Sequence, residues 1–476
     1  MEKNKRPSVR IEKDSMGELA VPAGAYYGVH SARSLQNFQI SPLRPQPEQI
    51  AALALLKLAC AKANMELGFL SDRKGNAIVK AAREVAGGAL HGEFPLDIFQ
   101  AGSGTSTNMN INEVLANRAA EILGGKRGDR SRVHPNDDVN MGQSTNNVFP
   151  SSIRVASLPL LLALISRAGA FRATLLANAK KFDHILKSGR THLQDAVPIR
   201  MGQVFSAWAY AVEKDIQRLQ SKVRHISELG VGGNAVGTGI NTHRSFRKLI
   251  IKNLNAETGA RFTVTRNGIE ATHSTNDLAD LSAALNTLAV DIARICNDLR
   301  LMASGPQTGL NEIILPAVEP GSSIMPGKIN PSICEAVNMA CLKVMGNHQT
   351  ITLAAASAQL ELNVTMPVSG HCLIESLKIL AAGVAHLDTK CVAGVKVNKE
   401  VCERYALISP SIATFLNPVI GYDRAAAVVK KALAGNKTVP QVVLEEKLLT
   451  KAELDTLLDP KRLTSPNLPS RRKAKR

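Results

Sequence analysis

Residues 208–229 read W-A-Y-A-V-E-K-D-I-Q-R-L-Q-S-K-V-R-H-I-S-E-L, and their spacing decides the fold class of this chain. The apolar residues recur every three or four positions, at Trp208, Val212, Ile216, Leu219, Val223, Ile226 and Leu229. This interval places them on one side of an α-helix for about six turns, with charged residues such as Lys214 between them. A helix with so long an apolar face needs partners along its whole length. The stretch therefore predicts a bundle of long helices.

Other parts of the chain have the same helical character and end in Gly, Pro or short polar breaks. They are residues 151–187, 277–304, 333–361 and 370–390. Apolar residues make up 45% of the chain and aromatic residues only 4%, so the core must be built from Leu, Val, Ile, Met and Ala. No repeat of about 30–47 residues occurs, which argues against an α-solenoid. The predicted fold is mainly α, with a central long-helix bundle.

The sequence predicts three regions along the chain. Residues 1–145 mix short segments with Gly- and Asn-rich loops, residues 146–402 form the helical bundle, and residues 403–476 form a small C-terminal helical domain. In this last region Asn417-Pro418 is predicted to end a helix, and two short helices are predicted at 423–434 and 439–458. The chain ends in a basic tail that contains Arg471, Arg472, Lys473, Lys475 and Arg476.

Composition and charge exclude several classes of protein. The formal net charge of +18 would suit a protein that binds nucleic acid. However, five of the positive charges lie in the tail, and no zinc-finger, RNP-like or basic-zipper pattern accompanies them. The seven cysteines are odd in number and form no C-x-x-C, which favours reduced thiols. No apolar leader and no run of 18 apolar residues occurs. We therefore expect a cytoplasmic protein with no nucleic-acid or membrane partner.

Four loops rich in small hydrogen-bond donors interrupt the helical pattern. They are G-T-S-T-N at 104–108, G-Q-S-T-N at 142–146, G-R-T-H-L-Q-D at 189–195 and G-S-S-I-M-P-G-K-I-N at 321–330. The first is predicted to lead into a helix from Ile111. Hydroxyls, amides and backbone N–H groups are what carboxylate recognition requires. Ser, Thr and Asn also cap helices, but four such loops together favour a binding site over capping.

The string G-S-S-I-M-P-G-K-I-N-P at 321–331 resembles the signature of the aspartase/fumarase superfamily. The other three loops resemble the remaining motif regions in the same order, and the similarity extends to Y-Y-G-V-H at 26–30, N-D-L-R at 297–300 and N-P-V-I-G-Y at 417–422. The resemblance runs from about residue 8 to about residue 466. It implies a three-domain fold of the aspartase/fumarase type and a homotetramer in which each active site takes loops from three subunits.

The resemblance also implies elimination of a group beta to a carboxylate, through an aci-carboxylate dianion that donors and a cation must stabilise. It makes Ser322 the base, activated by oriented N–H groups and positive charge when its loop closes. Lys328, Asn330 and Thr191 would bind the α-carboxylate, and Asn146 with His192 would hold the leaving group. The residues implied around the β-carboxylate are Thr105, Ser144, Thr145 and Ser323.

Features of the motifs favour L-aspartate as the substrate, which would release ammonia and give fumarate. The segment S-T-N at 144–146 is similar to that of aspartate ammonia-lyases, whereas H-P-N-D-D at 134–138 is similar to that of class II fumarases, which act on L-malate. Argininosuccinate and adenylosuccinate lyases share the fold but take larger substrates. A catalytically silent structural protein is a further alternative, against which the retained Ser322 and Lys328 argue. One position departs from the family pattern, because Asn147 stands where an Asp is usual.

No metal and no cofactor is predicted. Clustered His, Asp and Glu at metal-ligand spacing are lacking, and no glycine-rich nucleotide loop follows a strand. The predicted partners are a small dicarboxylate and three further copies of this chain.

Overall fold

The computed structural model describes residues 8–466, and helices dominate it. In chain order the helices are α1 Val29–Asn37, α2 Pro47–Glu66, α3 Asp72–Ala86, α4 Thr105–Ile122, α5 Thr145–Lys181, α6 Met201–Ile226, α7 Phe246–Thr258, α8 Glu270–His273, α9 Asn276–Met302, α10 Ser332–Ala356, α11 Met366–Lys390, α12 Lys399–Ile408, α13 Asn417–Ile420, α14 Tyr422–Ala434, α15 Val439–Glu445, α16 Lys451–Leu457 and α17 Pro460–Leu463. The prediction of a mainly α fold is confirmed.

The strands are short and form four separate two-stranded pairs. They are β1 Val9–Asp14, β2 Gly17–Pro22, β3 Leu186–Thr191, β4 Gln194–Arg200, β5 Glu228–Leu229, β6 Thr263–Val264, β7 Ile313–Ile314 and β8 Lys396–Val397. The pairs β1–β2, β3–β4 and β7–β8 are antiparallel, and β5–β6 is parallel. Short 3₁₀ turns lie at His91–Glu93, Gly102–Gly104, Val392–Gly394 and Pro410–Leu416, and a π-helical turn lies at Pro135–Val139.

Five helices have 25 residues or more, namely α5, α6, α9, α10 and α11. In α6 the predicted apolar face is buried, with Trp208 2% exposed and Val212, Leu219 and Ile226 fully buried. The helix ends at Ile226, and Leu229 is buried in β5 instead. The spacing that predicted a long helix with one apolar face was therefore right for all but its last turn.

Several predicted boundaries were wrong. Helix α5 runs over Thr145–Lys181 rather than 151–187, and α4 begins at Thr105 rather than at Ile111. The prediction missed the first turns of both helices because these turns are polar and give no apolar signal. Helix α10 ends at Ala356, before the predicted 361.

The C-terminal region also differs from its prediction. Asn417 begins a helix instead of ending one, since a proline at the first turn removes only an N–H that has no helical partner. The segment predicted as one helix at 439–458 contains two, and Thr450 begins the second with a reciprocal capping box to Glu453. An apolar cluster that includes Leu416, Val428 and Val443 holds these short helices together.

The described chain forms two compact units. The first contains residues 8–165, Gln217–Ala289 and Cys341–Ala381, and the second contains Ser166–Ile216, Val290–Ala340 and residues 382–466. The division into regions 1–145, 146–402 and 403–476 stays a prediction. The basic tail lies outside the described residues.

Two helical segments are long and apolar enough to cross a membrane by length and composition. They are Thr145–Lys181 and Met366–Gly394, and 72% and 61% of their most apolar windows are buried. Buried core helices pass the same test, so this is weak evidence for a membrane span.

Candidate active site

The first predicted loop is the start of helix α4. Ser103 and Gly104 both have a left-handed backbone (φ 62° and 89°), and a Cβ added to Gly104 would clash with the ring of Phe149. The sharp turn places Thr105 at the first helical position. Gly104 provides no side-chain cap, and Gln100 Oε1 accepts from the N–H of Thr107 at 2.8 Å. This half-buried helix start presents the positive end of the helix dipole and the N–H groups that precede Thr107. It is therefore suited to an anionic group.

The second predicted loop leads into helix α5 and lies against the first. The Thr145 hydroxyl accepts a hydrogen bond from Asn108 Nδ2 at 3.0 Å. The Ser144 hydroxyl accepts from the backbone N–H of Asn146 at 3.3 Å, which is a capping contact. Thr105, Ser144, Thr145 and Asn146 thus belong to two helix starts joined by a side-chain hydrogen bond. Capping accounts for Ser144 but not for Thr105.

A glycine-rich loop at residues 230–239 supports the second helix start, and the sequence analysis did not identify it as part of the site. Asn146 Nδ2 donates to the carbonyl of Ala235 at 2.8 Å, and Asn147 Nδ2 donates to the carbonyl of Asn234. The available signal was five glycines within ten residues. Asn147 is fully buried and acts as a donor, so the carboxylate usual in the family would face a carbonyl oxygen here.

The third predicted loop is a β-hairpin turn. Strands β3 and β4 pair from Leu186↔Arg200 to Thr191↔Gln194, which leaves His192 and Leu193 as the two turn residues. Both have a left-handed backbone (φ 56° and 57°), the geometry of a type I′ turn. The side chains of Thr191 and His192 are exposed. The two β-strands that flank this turn were not predicted.

A buried ion cluster fixes the base of this hairpin. Glu312 is fully buried, and its carboxylate lies 2.9 Å from Arg190 Nη1 and 3.3 Å from Lys187 Nζ. Burial lowers the pKa of Lys187, while the Glu312 carboxylate opposes that shift. Two cations share one buried carboxylate, and this cluster anchors the strand that leads into the turn presenting Thr191 and His192.

The fourth loop, residues 321–330, closes on itself. The backbone N–H of Gly321 donates to the carbonyl of Lys328 at 2.8 Å, and Asn330 Nδ2 donates to the carbonyl of Gly321 at 2.6 Å. Within the loop, Ser322 Oγ accepts from the N–H groups of Ile324 at 3.2 Å and Met325 at 3.0 Å. Two N–H groups aimed at one hydroxyl oxygen favour its alkoxide form, which is the activation that a serine base needs.

The rest of this loop is open to solvent. Ser323 and Lys328 are exposed, and Ile324 is 83% exposed. A cavity of about 460 Å³ beside the loop is lined by Ser322 and Lys328, among others. The exposed ammonium of Lys328 can therefore contact an anion. Asn330 has one amide hydrogen fewer to offer, because its Nδ2 already donates to the carbonyl of Gly321.

The ten predicted site residues form three groups. The first group is Thr105, Ser144, Thr145 and Asn146. The second is Thr191 and His192, and the third is Ser322, Ser323, Lys328 and Asn330. Between the second and third groups, no hydrogen bond or ion pair occurs within the described part of the chain. Their convergence and individual roles stay predictions, and the family resemblance implies that neighbouring subunits complete each site.

The described residues also bear on metals and thiols. In residues 8–466, no group of three or more His, Cys, Asp or Glu side chains is placed to hold a metal ion. None of the seven cysteines forms a disulfide bond, and all seven are buried. The sulfur atoms of Cys334 and Cys391 lie 3.7 Å apart.

Comparison with known families gives two matches along the chain. The family model described as "Lyase" matches residues 17–346, and the model described as "Fumarase C C-terminus" matches residues 412–465. Together they include all four polar loops.

Relatives with curated names are similar over nearly the whole chain. An aspartate ammonia-lyase of Helicobacter pylori (strain ATCC 700392 / 26695) is 42% identical over 461 residues, which are 96% of this chain and 98% of the relative. A class II fumarate hydratase of Thermus thermophilus is 45% identical over 461 residues, 96% of this chain and 99% of the relative. The two named activities are therefore represented at similar identity.

Solved structures share the fold. A fumarate lyase:delta crystallin from Brucella melitensis, bound to cobalt, superposes with a TM-score of 0.92 at 43% identity, covering 96% of this chain and all of that one. A class II fumarase from Schistosoma mansoni gives a TM-score of 0.91 at 38% identity, covering 96% and 99%. Motifs, family models and fold agree, and the chain belongs to the aspartase/fumarase superfamily of lyases.

Proposed function

We propose that this lyase removes ammonia from L-aspartate to give fumarate. The observation that carries the proposal is the orientation of Asn146. Its Nδ2 donates to the carbonyl of Ala235, and no donor within residues 8–466 reaches its Oδ1. The amide therefore offers an acceptor to the substrate. The leaving group of L-aspartate is an ammonium, which only donates hydrogen bonds, so an acceptor matches it.

The reaction begins with removal of a Cβ proton by Ser322, whose oxygen is supported by the N–H groups of Ile324 and Met325. The two electrons of that C–H bond move into the adjacent carboxylate and form a dianion. The start of α4 at Thr105 and the hydroxyl of Thr145 stabilise this charge. Expulsion of the amine then gives fumarate. Closure of the loop at 321–330 brings Ser322 to the substrate and excludes water.

L-malate is the second candidate substrate, which would make the chain a class II fumarase. It is favoured by the 45% identity to the Thermus thermophilus fumarate hydratase, slightly above that to the aspartate ammonia-lyase. A hydroxyl both donates and accepts, so Asn146 Oδ1 is compatible with malate but does not select it.

We also propose a cytoplasmic homotetramer, with L-aspartate and fumarate as its small dicarboxylate partners. Helix α10 supports the assembly, because an exposed and mostly apolar stripe runs along it at Ala336, Met339, Leu342, Gly346, Gln349 and Leu353. Met339 and Leu342 are each 65% exposed in the single chain. Such a stripe on a long helix is a surface for another subunit. Seven buried cysteines without a disulfide bond favour a reducing compartment.

The test follows fumarate by its ultraviolet absorbance, with L-aspartate and L-malate supplied separately to the purified oligomer. We expect absorbance to rise with L-aspartate. A rise with L-malate alone would reverse the choice of substrate, and no rise with either would favour a silent structural protein.

Ser322→Ala should lower kcat roughly 10²- to 10⁴-fold without altering the oligomer. Ser221→Ala removes a hydroxyl from the exposed face of α6 and is the matched control, with activity unchanged. A Ser322→Ala variant that keeps wild-type kcat would exclude this serine as the base.

A further inference from the structure

Lys57 is a fully buried lysine on α2 with no carboxylate partner. Its side chain is 0% exposed, and its Nζ donates to Asn140 Oδ1 at 2.8 Å. Lysine is almost never fully buried unless an opposite charge pairs with it, because burial disfavours the charged form. A buried ammonium whose partner is a neutral amide destabilises the fold. An apolar side chain of similar volume would stabilise this position better if its role were only structural.

Hydrogen bonds connect Lys57 to the predicted carboxylate-binding residues. Asn140 Oδ1, which accepts from Lys57, also lies 3.4 Å from Asn108 Nδ2. Asn108 Nδ2 donates in turn to the Thr145 hydroxyl at 3.0 Å. Asn140 Nδ2 donates to the carbonyl of Gln143 at 3.1 Å. The amide of Asn140 is therefore oriented by Lys57 on one side and holds the segment before Thr145 on the other.

Few charges act on Lys57. Burial lowers its pKa to about 7, and Cys60 on the same helix is the one titratable group that affects it among the described residues. Burial raises the pKa of the Cys60 thiol to about 12, so this thiol stays neutral near pH 7. On the elements packed against α2, Lys74 pairs with Asp138, Arg83 pairs with Glu257, and Glu113 accepts from the N–H of Gly28. Lys62 of α2 itself also pairs with Glu257. Arg247 of α7 is the exception among these, because no acceptor within residues 8–466 reaches its buried Nε and Nη2.

We propose that Lys57 is a positioning residue for the elimination, and that the active enzyme requires its protonated form. The ammonium fixes Asn140, and through Asn140 and Asn108 it fixes the Thr145 hydroxyl that receives the β-carboxylate. Its charge also supplies an uncompensated positive potential beneath that carboxylate, where the dianion forms. This inference rests on the proposed function, because it assigns Lys57 to that same site.

A dependence on pH follows. Activity is present while Lys57 is protonated and falls as pH rises through its pKa. In free enzyme the fall in kcat/KM should therefore begin near pH 7. Bound dicarboxylate adds negative charge nearby and favours the ammonium, so the corresponding fall in kcat should begin at a higher pH.

The experiment measures kcat and kcat/KM against pH for the wild-type oligomer and for Lys57→Met, a neutral side chain of similar length. Wild-type kcat/KM should fall about tenfold per pH unit above the pKa of Lys57. Lys57→Met should be roughly 10- to 100-fold less active at low pH and should lack this fall. Cys60→Ala should retain it. A Lys57→Met variant with the wild-type pH dependence would refute the role of Lys57.

A second variant keeps the inference testable if Lys57→Met does not assemble. Asn140→Asp places a carboxylate at the acceptor of Lys57, which raises the pKa of the amine and should move the fall in kcat/KM to higher pH. An unmoved pH profile would contradict the inference. Wild-type protein that turns over neither L-aspartate nor L-malate refutes the proposed function itself, which separates the two failures.

Discussion

Replacing Lys57 should stabilise the fold while it impairs activity. Burial lowers the pKa of this amine from 10.5 to about 7. Because the folded-state pKa lies below the unfolded-state value, the unfolded chain binds the proton more tightly, and the wild type loses stability as pH falls from about 10.5 toward 7. Lys57→Met removes the titrating amine, so the free energy of unfolding of this variant should not fall over that pH range for this reason.

The magnitude follows from the size of the shift. A shift from 10.5 to about 7 spans about 3.5 pH units, and each unit is worth about 1.4 kcal/mol, so the charged lysine costs at most about 5 kcal/mol below pH 7. The methionine leaves Asn140 Oδ1 without one of its two donors, at a cost of about 1–3 kcal/mol. We expect Lys57→Met to be more stable than wild type by about 2–4 kcal/mol below pH 7, and the advantage to disappear between about pH 8.5 and pH 10.

Urea unfolding at matched protein concentration measures this difference, since assembly contributes to the apparent stability. Wild type and Lys57→Met are compared at about pH 6.5 and about pH 9.5. Lys62→Met is the matched control on the same helix. Lys62 is partly exposed and pairs with Glu257 at 3.1 Å, so its loss should change stability by less than about 1 kcal/mol. If Lys57→Met is destabilised equally at both pH values, the ammonium is not desolvated and the reasoning fails.

Two further predictions concern the site and the assembly. Gly104→Ala should destabilise the fold by about 2–5 kcal/mol and raise KM, because it adds left-handed strain and a clash with Phe149. Gly124→Ala is the control, because Gly124 has a similar backbone (φ 78°) but no atom within 4 Å of an added Cβ. Thermal unfolding of this variant should show a loss of stability of only about 1–2 kcal/mol. Equal losses of stability for the two variants would exclude the contact with Phe149 as a cause. Leu342→Glu should break the oligomer in light scattering, while Leu433→Glu, equally exposed at 65% on α14, should not. Wild-type mass for Leu342→Glu would exclude the α10 stripe as an interface.

The fold class could be predicted because helical periodicity is a local property. Apolar residues at intervals of three and four determine which side of a helix is buried, and the face of α6 from Trp208 to Ile226 was predicted correctly. The first turn of α4 was missed for a physical reason. Ser106, Thr107 and Asn108 are polar yet 1–2% exposed, so a pattern based on apolar residues cannot identify them as helical or buried.

Part of the candidate site could likewise be predicted from the sequence, and part could not. The four polar loops were identified from sequence because their small donors stand together in short strings. The family resemblance implied that Ser322 needs oriented N–H groups, and in the structure Ile324 and Met325 are the donors. Residues 189–195 were expected to form a loop, but they form a hairpin turn, since strand pairing depends on a partner strand as well as on local composition.

By itself, the sequence determined a mainly α chain with four donor-rich segments, because both properties depend on neighbours within a few residues. Only the tertiary structure decided that Lys57, Asn140, Asn108 and Thr145 form one hydrogen-bonded network. In sequence Lys57 is one lysine among 58 cationic residues, and nothing local distinguishes it. Its chemistry changes because packing removes water from its ammonium and leaves a neutral amide as its partner, and removal of water depends on the whole fold.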